Sequence, residues 1–234
     1  MDHLKGKTLL ITGASRGIGE ATARLFVQAG ANVALVARSE DAIAELAGEL
    51  GKRSIAIPCD VSRYWEVSKA VDATVETFGS LDILINNAGV IGQRDAALGK
   101  IDYALWEEVF RVNTLAPIRV AEAVAGNVAA SSRKTMVFIS SVMGSIASNG
   151  GGHYLYRSTK AALNAAMVSL SLELAPRDVI CVSMHPGWVR TDMGGPTAAV
   201  SVPDSAAGIR QVVAGLSSAD NGHFYDYTGE EIPW

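Results

Sequence analysis

The stretch TLLITGASRGIGEATARLF, residues 8–26, decides the fold. A short β-rich apolar run ends in a turn punctuated by Gly13, Gly17 and Gly19, and an amphipathic helical pattern follows at once. Glycine lets a backbone turn sharply and come close to a bulky group. The start of a helix presents unpaired N–H groups and a partial positive charge, a seat for a pyrophosphate. In the order strand, turn, helix, the glycines read as a nucleotide cradle rather than as a flexible turn.

The same alternation runs outward along the chain. KTLLIT (7–12), NVALVA (32–37), SIAIP (54–58), LDILIN (81–86), TMVFIS (135–140), VICVSM (179–184) and a short run near 223–227 read as strands. Helical patterns lie at 19–30, near 40–50, and at about 63–78, 103–126, 154–175 and 204–216. Repeated βα units predict a parallel sheet with helices on both faces, and right-handed crossovers favour the doubly wound arrangement. The expected fold is α/β: a single-domain Rossmann fold over residues 1–234, with a doubly wound, parallel, seven-stranded sheet. No Pro/Ser-rich linker or internal repeat divides the chain. SNGGGH (148–153) and TDMGGPTAAVSVP (191–203) read as loops that admit substrate.

Composition narrows the function. Hydrophobic residues make up 49% but aromatics only 6%, which suits an Ala/Val/Ile/Leu core around a sheet buried on both faces. The net charge of −4, with both signs mixed, speaks against a nucleic-acid surface or a polybasic membrane patch. No run approaches the ~18 apolar residues of a membrane helix. The opening MDHLKGKTLLITGAS carries no signal-peptide apolar region, and a cytoplasmic location is expected. Cys59 and Cys181 adjoin strand-like runs and are expected as buried free thiols. His185 has no second His or Cys near it in a ligand spacing, so no metal is expected.

Tyr156 and Lys160, in YRSTKAALNAAMVSL, lie four residues apart and therefore share one helix face. A phenol ordinarily titrates near ~10. A neighbouring cation lowers that value and makes an acid/base group suited to carbonyl or alcohol chemistry. Tyr154 lacks a Lys four residues on, because position 158 is Ser. Asn86 and Asn87 end the fourth strand and require a polar network or a ligand edge. Asn113 sits inside the apolar helix pattern EEVFRVNTLAPIRV, where Asn is a mediocre choice. The second strand ends in NVALVARSED, with no carboxylate placed to hold a ribose 2′-hydroxyl. Arg38, and Arg16 from the glycine turn, are suited instead to a 2′-phosphate, so NADP(H) is expected over NAD(H).

These motifs resemble the short-chain dehydrogenase/reductase family over nearly the whole chain. TGASRGIG (12–19) matches its T-G-x-x-x-G-x-G signature at every specified position, INNAGVIG (85–92) its N-N-A-G, and Pro186-Gly187 its P-G. SSVMGSIASN, HPGWVRTDMGG and GHFYDYTGEEIPW are similar to the branch of sniffer-type carbonyl reductases and the bacterial C-factor. The resemblance implies a cofactor site made of Gly13, Ser15, Arg16, Gly17, Ile18, Gly19, Arg38, Asp60, Val61, Asn87, Ala88, Gly89, Tyr156, Lys160, Pro186, Gly187, Val189 and Thr191. For Asp60, N-capping of the next helix is an equally natural role. It implies the catalytic set Ser141, Tyr156, Lys160 and Asn113, in which Lys160 lowers the Tyr156 pKa and the Asn113 carbonyl holds a water leading to the Lys. Ser140 and Ser141 both follow the fifth strand, and alignment selects Ser141. Ser145 is near enough to touch substrate. The loop from 142 to 155 is slightly longer than in many members, which weakens a choice of Ser141 by spacing alone. Met143, Trp188 and Met193 join Ser141 as candidate substrate contacts, or serve as packing.

The implied activity is NADP(H)-dependent transfer of a hydride between nicotinamide and a small carbonyl or secondary alcohol, with Tyr156 as general acid/base. The alternative is an NADP(H)-binding signalling or regulatory protein of C-factor type with little turnover. Keeping Ser, Tyr and Lys together favours the enzyme. Homodimers or homotetramers form in the family through the helices near 103–126 and 154–175, although the branch also includes monomers. Arg38→Ala tests the cofactor expectation in steady-state kinetics with both cofactors. Loss of a charge-assisted hydrogen bond worth ~1.5–3 kcal/mol raises the KM for NADPH about tenfold or more and leaves that for NADH nearly unchanged. An unchanged NADPH preference would remove Arg38 from the site.

Overall fold

The computed structural model describes residues 3–94 and 96–234. Seven strands form one sheet: β1 (Thr8–Thr12), β2 (Asn32–Ala37), β3 (Ser54–Pro58), β4 (Ile83–Asn86), β5 (Thr135–Ile139), β6 (Ile180–His185) and β7 (Phe224–Asp226). Their order is β3-β2-β1-β4-β5-β6-β7, and every neighbouring pair is parallel. The chain starts at the centre, runs out to one edge, then returns to the other side of β1. That reversal opens a crevice between the carboxyl ends of β1 and β4, the place where such sheets take ligands.

Period-two alternation sends side chains to both faces, and both faces are apolar. Leu9, Ile11, Val33, Leu35, Val137 and Val182 pack against α1 (Gly17–Gln28), α2 (Glu40–Leu50) and α7 (Val202–Gly215) through Phe26, Ile43, Leu46, Ile209 and Val213. Leu10, Val36, Leu84, Met136 and Phe138 turn the other way. They meet α3 (Tyr64–Phe78), α5 (Ala116–Ala130) and α6 (Tyr154–Leu174) through Val67, Val71, Val120, Val124, Leu163 and Met167. The doubly wound arrangement expected from the βα alternation is therefore the arrangement found. Among the described residues, no helix is long and apolar enough to cross a membrane.

One element differs from the sequence pattern. The continuous helix expected over 103–126 is split into α4 (Tyr103–Phe110) and α5 by a wide turn at Arg111–Leu115, where the Ala116 N–H reaches back five residues to the Arg111 carbonyl. Such π-type turns are rare and gather at functional sites. Pro117, just inside α5, supplies a local cause, since proline has no N–H to continue the ladder. In a regular helix that N–H would bond the carbonyl of residue 113, four positions back. The irregularity therefore falls on Asn113.

Candidate active site

The carboxyl ends of β1 and β4 are locked together first. The Thr12 hydroxyl oxygen accepts the N–H groups of Asn87 and Ala88, each at 3.0 Å. The Asn87 amide donates back to the carbonyls of Thr12 at 3.0 Å and Gly13 at 3.2 Å. Asn86 donates to the Pro117 carbonyl at 3.1 Å, so the polar network expected of the two asparagines exists. The glycine turn then fits around this knot. Gly13 has φ +66°, and a side chain there would stand 3.0 Å from Ala88 Cα. A Cβ on Gly19 would collide with the Gly13 carbonyl and come within 2.6 Å of Asn87 Nδ2. Gly19 thus serves the packing of helix on turn, while Gly17, at φ +59°, faces Thr191.

Above these strand ends lies a cleft of about 740 Å³. Arg38 and Asp60 wall one end, the glycine turn and Asn87–Gly89 the middle, and Tyr156, Lys160, Pro186 and Thr191 the other end. Arg38 is exposed and, among the described residues, makes no ion pair or hydrogen bond. Arg16 is instead committed to Asp192 at 2.9 Å, which ties the glycine turn to the 191–203 loop. With both partners largely exposed, that pair contributes little stability, but it leaves Arg38 as the uncommitted cation. Burial pushes the Asp60 carboxyl up; hydrogen bonds from the Ser62 N–H and hydroxyl, with Arg38 and Arg63 nearby, outweigh it and hold the group below its usual value. Asp60 does not cap α3, whose first turn follows Arg63 without a side-chain cap, so the capping alternative fails. The Ser140 hydroxyl is buried in the cleft wall and has no hydrogen-bond partner among the described residues. A glycine cradle, an unpaired guanidinium and an orphaned hydroxyl fit an elongated dinucleotide.

At the far end, α6 presents Tyr156 and Lys160. Lys160 is buried, and its Nζ donates to the Ile139 carbonyl at the end of β5, 2.7 Å away. The same Nζ lies 5.8 Å from the centre of the Tyr156 ring. Burial lowers the Lys160 ammonium to about 8 and pushes the Tyr156 phenol up to about 12. Hydrogen bonding with Ser141 draws the phenol back down. The tuning thus differs from the sequence expectation: desolvation is the dominant effect on Tyr156, and Ser141 rather than Lys160 is the neighbour opposing it. Ser141 opens a single tight turn, Val142–Gly144, and its Oγ accepts the Met143 N–H at 3.2 Å. Of the two serines, Ser141 is the one whose hydroxyl lowers the phenol, while Ser140 lines the cleft.

Gly144, which the sequence reading passed over, makes this meeting of elements possible. An added Cβ would lie 2.8 Å from the Lys160 carbonyl carbon and 2.9 Å from its Cβ. Only glycine lets α6 lie this close to the turn after Ser141. Its signal in the sequence is its position three residues after that serine. Asn113, fully buried, accepts the Val90 N–H and donates to the Val90 carbonyl, both at 2.8 Å. It also reaches the Thr159 hydroxyl at 3.2 Å, and so joins the loop after β4 to α6. A Cβ on Gly89 would stand 3.4 Å from Asn113 Oδ1 and 3.7 Å from Lys160 Nζ.

Beyond β6, Gly187 has φ +87°, and a Cβ there would crowd Val200 and Tyr227 at 2.9 and 3.0 Å. The Val189 backbone bridges to Val200, and the Thr191 hydroxyl accepts the Gly194 N–H at 3.1 Å. Met193 lies in the cleft wall. Trp188 is 55% exposed and donates its indole N–H to the Gly194 carbonyl, and Met143 is half-buried beside Ser141; neither lines the cleft. Ser145 turns to the Pro233 and Trp234 carbonyls rather than toward the cleft. Burial lowers the His185 imidazole to about 4, so it is neutral at pH 7. Both cysteines are buried free thiols, pushed up to about 12. Among the described residues no three His, Cys, Asp or Glu side chains gather as a metal site.

The sequence pattern described as short chain dehydrogenase matches residues 7–200. The C-signal of Myxococcus xanthus is 45% identical over 163 residues, 69% of this chain and 98% of that protein. Carbonyl reductase Sniffer of D. melanogaster superposes with a TM-score of 0.91 at 30% identity, over 97% of this chain and 99% of its own. An NADPH-bound carbonyl reductase from chicken fatty liver gives a TM-score of 0.88 at 28% identity, over 98% and 100% of the two chains.

The buried Lys160 predicts a pH signature. Between pH 8 and 10.5 the folded ammonium has shed a proton that the unfolded chain keeps, so stability rises with pH. Tyr156 acts oppositely between pH 10 and 12, where the fold holds a proton the unfolded chain loses. In denaturant unfolding, the difference between wild type and Lys160→Met therefore shifts toward the wild type from pH 8 to 10. A pH-independent difference would mean that Lys160 is not desolvated.

Proposed function

The chain belongs to the short chain dehydrogenase family, and from that premise we propose an NADP(H)-dependent carbonyl reductase in which Tyr156 is the general acid. Oxidoreduction with a nicotinamide cofactor is the shared chemistry; cofactor preference, substrate class and residue roles are the finer reading. The observation that carries it is the meeting of Tyr156 and Lys160 at one end of a cleft, with Ser141 close to the phenol, while the other end holds the uncommitted Arg38.

When bound, the nicotinamide supplies a hydride to a carbonyl carbon. The glycine turn and the first N–H groups of α1, with Ser15 and Ile18, would hold the pyrophosphate, and Arg38 would hold the 2′-phosphate. Asp60 and Val61 would hold the adenine, Asn87 to Gly89 a ribose, and Pro186, Gly187, Val189 and Thr191 the carboxamide end. Ser141 Oγ donates a hydrogen bond to the substrate oxygen, where negative charge grows. Tyr156 Oη donates to the same oxygen and passes its proton there. A phenol pushed up to about 12 is protonated at neutral pH, which suits donation and therefore reduction. Lys160, titrating at about 8, is charged at pH 7 and stabilises the phenolate that donation leaves. The Asn113 carbonyl, which faces Pro117 where a regular helix would offer an N–H, would hold a water in the return path of the proton. Met193 gives the substrate end an apolar wall. The exposed Tyr103 and Leu115, on the α4–α5 side, support pairing with a second copy there, as a homodimer or homotetramer.

The likeness to the C-signal favours a second reading, an NADP(H)-binding signalling protein with little turnover. The retained Ser141, Tyr156 and Lys160 support the reductase. NADPH oxidation measured across aldehydes, ketones, quinones and β-keto esters separates the two. General acid catalysis contributes about 10²–10⁴-fold, so Tyr156→Phe loses kcat on that scale, with NADPH affinity changed less than about threefold. A variant as active as wild type refutes the site. Tight NADPH binding by a wild type that reduces nothing supports the signalling reading.

A further inference from the structure

The segment that follows Ser141 is held from an unexpected direction. Residues 146–152 are exposed and glycine-rich, yet Ser145 is 1% exposed. Its hydroxyl donates to the Pro233 carbonyl at 2.6 Å, lies 3.2 Å from the Trp234 carbonyl, and accepts the Ser148 N–H at 3.1 Å. The Ala147 N–H donates to the Trp234 carbonyl at 2.9 Å. Among the described residues, every hydrogen bond from 145–148 to a residue outside 141–153 ends on Pro233 or Trp234.

The other side of this contact is anchored to the sheet. The Trp234 indole stacks on Phe224 of β7, with ring centres 5.5 Å apart and planes 19° from parallel. Phe224 is itself 1% exposed. The Ile232 N–H donates to the Phe224 carbonyl at 2.7 Å, the Asp226 N–H to the Glu230 carbonyl at 2.8 Å, and Tyr225 bridges antiparallel to Glu231. The link from Ser145 back to Ser141 is stiff. Gly144 donates to the Ser141 carbonyl at 2.8 Å and Ser145 to the Val142 carbonyl at 3.0 Å, while Gly144 abuts the Lys160 backbone. A displacement of Ser145 is therefore passed to Ser141 rather than absorbed.

We propose that residues 230–234 form a brace that positions Ser141 against Tyr156 through Ser145, with Trp234 as its anchor. Ser145 and Trp234 are positioning residues in this account, which rests on the reductase reading of Ser141 and Tyr156. The brace also explains how a lengthened, glycine-rich loop keeps its first residues in register with the site.

The test uses Ser145→Ala, Trp234→Ala and the double variant of the full chain. Three readouts are needed: kcat with 4-nitrobenzaldehyde as the probe carbonyl, NADPH affinity by fluorescence titration, and amide hydrogen exchange over 142–148. Misplacing a reacting group by a fraction of an ångström is costly, so each single variant lowers kcat about tenfold or more while NADPH Kd stays within about twofold. Exchange of the Ala147 and Ser148 amides rises about tenfold or more, since their protection depends on the brace. The double variant is no worse than the singles, because both break one device. Unchanged exchange over 142–148 overturns the brace, as does faster exchange with wild-type kcat. Equal losses of kcat and NADPH affinity overturn it too, by showing general destabilisation. A wild type inert toward the probe counts against the reductase reading, and the exchange measurement still decides the brace.

Discussion

The Tyr156 end of the cleft depends on one close contact, between the backbone at Gly144 and the backbone of Lys160 on α6. A Cβ at position 144 would fall 2.8 Å from the Lys160 carbonyl carbon, closer than real Cβ atoms approach backbone. With hydrogen in its place, α6 settles onto the turn that follows Ser141. The Lys160 side chain then reaches the last carbonyl of β5, and Tyr156 meets Ser141. From the opposite side, Thr159 is gripped by the Asn113 side chain and by Thr114, whose hydroxyl donates to the Thr159 carbonyl at 2.9 Å. The helix is clamped between two partners, and its two functional side chains inherit that rigidity.

The clamp carries an electrostatic cost. Taking an ammonium and a phenol out of water disfavours the charged form of each. The consequence is a lysine moved down toward neutrality and a tyrosine moved away from it. One carbonyl hydrogen bond offsets part of the desolvation of Lys160. Such frustration is expected where a site is arranged for a reacting ligand rather than for its own stability. The cleft follows the same logic at its other end, where Arg38 has no partner among the described residues while Arg16, inside the glycine turn, is paired with Asp192.

Much of the fold was legible because its signals are local. Apolar strands of five or six residues alternating with amphipathic helices admit few topologies, and the order of strand, glycine turn and helix at 8–26 is self-contained. The cleft residues were legible because each follows a strand, and strand ends converge in a parallel sheet. What escaped depends on partners distant in sequence. Arg16 looked like a free cation until Asp192, 176 residues on, was placed beside it. Ser145 looked like a substrate contact because Trp234, 89 residues away, cannot be foreseen from the loop alone. The π-type turn at 111–115 was partly readable, since Pro117 stands four residues after Asn113, but an apolar pattern of helical period conceals a one-residue bulge. Gly144 was visible in SSVMGS, yet a glycine in a loop says nothing of the helix pressed against it.

The central claim is that this close approach, rather than the mere presence of Ser141, Tyr156 and Lys160, sets the alignment for catalysis. Gly144→Ala tests it directly, with kcat and NADPH Kd measured on the same folded protein. Overpacking at such a contact shifts backbone by a few tenths of an ångström and costs about 1–3 kcal/mol. The expected result is a fall in kcat of about tenfold or more with NADPH Kd within about twofold. A Gly144→Ala protein with wild-type kcat would contradict the account.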